Sequence, residues 1–312
     1  MPDLTSRLPV SRRSAALLAA TLVLAACSSS TPLASPSSPP SSSSQTPGAS
    51  APPSSGPTVG AIEHKTGATD VILRIESGGG FVPMEFNASQ APNFTLYGNG
   101  VIVFQPTLTT FPEPDRNGVL RPPPWRTGTL DESQVQELLE FALTNGGLGT
   151  ARADYPDPHV ADAPSTWFTI HAGGIDKVVS VMALAEESQP GPDALARKAF
   201  FALAKRLQDF DQGGTIPSDV YQADRFRGVI FERDAQPGLV TTAWPWPALT
   251  SDDFKVGPPE NPGFPRRTLT ADEIAELKLT DIAGGIQGIT LKAPNGKLYT
   301  FILRPLLVDE KE

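Results

Sequence analysis

The 312 residues carry 25 Lys and Arg against 34 Asp and Glu, a net charge of −9, and only one cysteine. That sign disfavours nucleic acid and anionic lipid headgroups as partners. A lone cysteine excludes an internal disulfide, so the fold must rest on packing and backbone pairing.

The first element is a leader. Arg7, Arg12 and Arg13 make a positive start, residues 15–26 are an apolar run, and small residues precede Cys27. This is the layout of a signal peptide over residues 1–26. About 12 apolar residues reach only about 18 Å as helix, short of a hydrocarbon core about 30 Å thick. Leu24-Ala25-Ala26-Cys27 resembles the lipobox of bacterial lipoprotein signal peptides. The resemblance implies cleavage between Ala26 and Cys27, diacylglycerylation of the Cys27 sulfur, and a lipid-anchored place on the extracytoplasmic face of the cell membrane.

Residues 28–57 hold 13 Ser and 8 Pro and no charge. Such a tract buries too little apolar surface to offset its ordering entropy. Residues 27–60 therefore read as a lipidated cysteine plus a disordered linker, with a full reach on the order of 90 Å at about 3.1 Å per residue.

Two modules are expected beyond it, residues 61–214 and 215–312. Val71 to Ile75 predict a strand ending at Gly78-Gly79-Gly80, and an extended, Pro-containing segment is expected next. Residues 94–104 read as a hairpin about Gly98-Asn99-Gly100, because Gly and Asn tolerate positive φ. Residues 106–128 read as a long loop. Asp131 opens a helix whose Val135, Leu138, Leu139, Ala142 and Leu143 share one face, and Asn145-Gly146-Gly147 stops it. A second hairpin spans residues 167–184. The next helix, residues 193–210, is expected to bury Leu195, Ala199, Ala202, Leu203, Leu207 and Phe210, and to end at Gln212-Gly213-Gly214.

The second module predicts a strand over residues 226–232, an irregular stretch over 234–265, a short helix over 271–279 and a hairpin about Pro294-Asn295-Gly296. Thr129-Leu130, Glu137-Leu138 and Gly146-Gly147 in the first module are echoed by Thr268-Leu269, Glu276-Leu277 and Gly284-Gly285 in the second. Duplication accounts for the echo, and so does common helix-stop and turn chemistry. Either way the fold class is α+β, antiparallel hairpins packed with helices. Gly79 to Pro83, Phe94 to Ile102 and the ending Leu303 to Glu310 look like segments of uncharacterised bacterial secreted proteins and lipoproteins. That resemblance covers most of the chain beyond residue 68 and implies nothing about activity.

Common catalytic signatures such as G-x-S-x-G, S-x-x-K and H-E-x-x-H are missing. Only His64, His159 and His171 could act as imidazole bases, and no cofactor is expected. Asp154, Asp157, His159 and Asp162 form a loop cluster with weak metal-ligand character, although Asp beside Pro is also ordinary turn chemistry. Trp244-Pro245-Trp246-Pro247 could display two rings as a ligand surface or close them over the sheet as a lid. Gly78-Gly79-Gly80 would cradle phosphate only with a helix after it, and reads instead as a bulge or open turn. The expected role is a non-enzymatic binding or structural module meeting an envelope glycan or protein. The alternative is a carboxylate-dependent hydrolase of cell-wall sugar or peptide.

Overall fold

Strand β1 (Val71–Gly78) is the centre of the first of two sheets in this computed structural model. The structure describes residues 60–108, 110–186, 190–208, 210, 216–259 and 263–311, which fall in one compact unit. The signal segment, Cys27, the Ser/Pro tract and Gln212-Gly213-Gly214 lie outside the described residues.

After β1 come a short helix α1 (Met84–Ser89) and the hairpin of β2 (Phe94–Tyr97) and β3 (Val101–Phe104). Then follow β4 (Arg126–Thr129), α2 (Glu132–Leu143), β5 (Asp154–Tyr155), the hairpin of β6 (Ser165–Ala172) and β7 (Ile175–Met182), α3 (Ala194–Gln208) and β8 (Asp219–Val220). The strand order is β5-β7-β6-β1-β2-β3-β4-β8, antiparallel except at β5–β7. The fold is α+β. Helix α2 begins at Asp131, whose carboxylate accepts the Gln134 N–H while Gln134 returns a bond to the Asp131 N–H. Its Val135, Leu138, Leu139 and Ala142 are buried with Ile72, Leu73 and Ile75 of β1, as the 3,4 spacing predicts.

Helix α3 departs from expectation. It buries Arg197, Phe200, Leu203, Ala204 and Leu207, whereas Leu195 is 86% exposed and Ala202 is also exposed. The cause is Arg197, whose guanidinium donates to the carbonyls of Met182, Tyr155 and Pro156 at 2.8–2.9 Å. Those bonds set the rotation of the helix, and Phe200 then meets Tyr155 with ring centroids 4.8 Å apart.

The second sheet comprises β9 (Phe226–Arg233), β10 (Thr242–Ala243), β11 (Arg266–Leu269), β12 (Ile286–Lys292) and β13 (Leu298–Pro305), with helix α4 (Ala271–Glu276) after β11. Its order is β10-β12-β13-β9-β11. Both hairpins sit beside the opening strand of their sheet, but through different arms: β6, the first arm, pairs with β1, whereas β13, the second arm, pairs with β9. The sequence echo thus goes with two different pairing orders.

The face of the first sheet turned away from α2 and α3 packs Tyr97 and Val103 with Trp125, Tyr221 and Leu307. The final segment crosses this face. Arg74 donates twice to Asp309, Tyr97 donates to the same carboxylate, and Arg304 forks onto Glu310.

Candidate functional site

Beyond Gly78 the chain turns through Gly79 and Gly80, at φ 74° and 79°, a region that suits residues without Cβ. The extended segment expected next is instead helical. Pro83, at φ −52°, stands at the N-cap of α1, where its missing N–H costs nothing. Six residues make too short a helix for an anion site, so the turn reading of the glycines stands on geometry.

Three stretches come together here: the β1–α1 turn, the loop between β3 and β4, and the start of the second sheet. Leu120 and Gln287 exchange backbone hydrogen bonds of 3.0 and 2.9 Å, stitching the loop to β12. Gly284 lies against the carbonyls of Pro122 and Pro123, where a Cβ would have no room. The three stretches enclose a cleft of about 480 Å³. Its walls are mainly apolar, with Val82, Phe86, Leu108, Phe111, Trp125 and Leu303. The mouth stays open to water: Phe111 is 85% exposed, Phe86 49%, and the neighbouring Phe81 96%. Folded proteins seldom leave large apolar groups clustered at one opening.

The polar lining is almost wholly uncharged. Gln90, Asn93, Gln105 and Gln287 contribute amides, and Ser77 and Ser89 hydroxyls. Among the described lining residues the one charged side chain is Arg304, 5% exposed and bonded to Glu310 at 3.0 and 2.6 Å. Burial opposes ionisation of Glu310, but the Arg304 guanidinium and the Leu307 N–H outweigh it and hold the carboxyl below its ordinary range. Beside this pair, burial raises the Glu76 carboxyl, with Arg74 pulling the other way. Burial also lowers Arg227 to about 10 and pushes Tyr221 up to about 12.

The residues singled out in the sequence lie elsewhere. Trp246 is 2% exposed and donates its indole N–H to the Glu273 carbonyl, while Trp244 donates to Leu249. The two rings meet edge-to-face at 5.3 Å, and Trp246 also packs on Phe254 and Phe301. They are core of the second sheet, and the displayed ligand surface at Trp244 and Trp246 is corrected to a lid: aromatic area this large is held by burial once each N–H has an acceptor. Asp157 accepts from the His159 N–H, an ordinary turn bond, and Asp154 lies in the edge strand β5. Asp162 holds a positive φ of 58°. Among the described residues no three His, Cys, Asp or Glu side chains gather as a metal site, and no helix is long and apolar enough to cross a membrane. His171 pairs with Asp176 in the β6–β7 hairpin, and His64 with Glu132.

Sequence reading missed the cleft because its walls come from segments about 200 positions apart, none with a motif. Phe81, Phe86, Leu108 and Phe111 were nonetheless a visible signal: large apolar residues in stretches too polar and Pro-rich to bury them. Comparison with protein-family models, with curated proteins and with solved structures gives no match.

Proposed function

We propose that this chain is a lipoprotein anchored through Cys27 at the extracytoplasmic face of the cell membrane, and that its folded unit binds a small apolar molecule in the cleft between the sheets. The observation that carries the binding role is the cleft itself, with apolar walls, open aromatic lips and a few uncharged polar groups, the usual make-up of a ligand pocket. A hydrolase of cell-wall sugar or peptide would need two carboxyl groups converging on bound substrate. Among the described residues the cleft lining includes no carboxylate, and the nearby Asp309 and Glu310 are engaged by Arg74 and Arg304. That favours binding over hydrolysis.

The test is to purify the full chain from membranes, extract it with organic solvent and identify what it carried by mass spectrometry. A small apolar molecule near one per chain, absent from a Phe86→Ser/Phe111→Ser double variant, is expected. Release of sugars or peptides from cell-wall fragments by the pure chain would overturn the reading.

A further inference from the structure

Resting on the cleft as a ligand site, we infer that its occupant is a neutral amphiphile: an apolar chain whose head carries hydroxyl or amide hydrogen-bond donors. Charge decides the first half. Arg304, the one ion among the described lining residues, is already forked onto Glu310, so an anionic ligand would have to break a buried pair. A cationic ligand would find no carboxylate among the described lining residues. Burying an unpaired charge costs more than apolar contact returns. Only an uncharged molecule enters without that penalty.

The amides decide the second half. Gln90 donates its Nε2 to Asn87, Gln105 to the carbonyls of Ala91 and Pro92, and Gln287 to the Ser89 hydroxyl. Each ties its amide nitrogen to the protein, and no described residue donates to their Oε1 atoms. Asn93 Oδ1 is buried with no hydrogen-bond partner among the described residues. Trp125, 5% exposed, has an indole N–H that meets no acceptor among them. Of these atoms Asn93 Oδ1 is the one sealed from water among the described residues, and a buried acceptor left unpaired calls for a donor. A hydroxyl or N–H group on the ligand supplies it. The apolar chain then lies between Val82, Leu108 and Leu303, with Phe86 and Phe111 closing over it.

Calorimetry of the full chain with four dodecanoyl compounds, each below its micelle concentration, separates the parts. Monododecanoylglycerol and dodecanamide should bind one per chain. Methyl dodecanoate, which has no donor, and dodecanoate, which is charged, should each bind about tenfold weaker or less, roughly the weight of one hydrogen bond to a buried polar group. The Phe86→Ser/Phe111→Ser variant should lose about tenfold for the glyceride with its thermal unfolding unchanged, since both rings are exposed. Dodecanoate binding as tightly as the glyceride would overturn neutrality, and methyl dodecanoate matching the amide would overturn the donor requirement, while either leaves the cleft a binding site. No heat with any of the four, while membrane-purified chain yields a bound peptide or sugar, would overturn the ligand class alone. No heat and no co-purified molecule would sink the binding role itself.

Discussion

Arg74 and Asp309 lie 235 positions apart and are joined by hydrogen bonds of 2.7 and 2.8 Å, with Tyr97 donating to the same carboxylate at 2.6 Å. Both partners are largely withdrawn from water. Removing one member of such a pair leaves the other charge uncompensated. Asp309→Ala should therefore cost about 3 kcal/mol in urea unfolding, and Tyr97→Phe about 1 kcal/mol. A loss within the scatter of surface substitutions would show the pair to be ornamental.

The neighbouring Glu76 predicts a pH effect of definite sign. Burial raises its carboxyl, more than Arg74 lowers it. A group raised in the folded state stabilises the fold below its ordinary value and loses that contribution as pH climbs through the folded value. Glu76→Gln should thus raise the melting temperature at about pH 8 and leave it nearly unchanged at about pH 4, where the carboxyl is already neutral. Glu310, held low, works in the opposite sense: its contribution is present above the ordinary glutamate range and fades as pH falls through the folded value.

In the second sheet, Trp246→Ala should cost about 4 kcal/mol, as deletion of a buried aromatic does. Trp244→Ala, at a half-buried ring, should cost less. Neither should alter ligand affinity at the cleft, whose lining contains neither ring. Weakened binding in a still-folded Trp244→Ala protein would return the ligand surface to that pair.

Cys27→Ser should move the chain out of the membrane fraction or leave its leader uncut, read by detergent partitioning and intact mass. Full retention in the membrane with an unmodified sulfur at position 27 would exclude the anchor.

Local chemistry was legible wherever one segment decides its own shape. Gly98-Asn99-Gly100 announces the β2–β3 hairpin, and Asp131 with Gln134 announces α2, because turns and caps depend on a few adjacent residues. The rotation of α3 was not legible. A helical wheel places Arg197 outside, and only the carbonyls of Tyr155, Pro156 and Met182, supplied by distant strands, bring it in. The edge strands β5, β8 and β10 hold two residues each, too few to alternate. β4 and β11 are hidden in Arg-, Thr- and Pro-rich text and exist through their partners β3 and β9. The ending Asp309-Glu310 reads as a polar tail, yet it sits among Arg74, Tyr97 and Arg304, a placement set by long-range pairing alone.

Because Asp309 closes onto β1 across 235 positions, that strand gains its full set of partners only after the segment carrying Asp309 and Glu310 has been made. Deleting Asp309 and Glu310 would leave the guanidinium of Arg74 without its counter-ion and strip Arg304 of its mate.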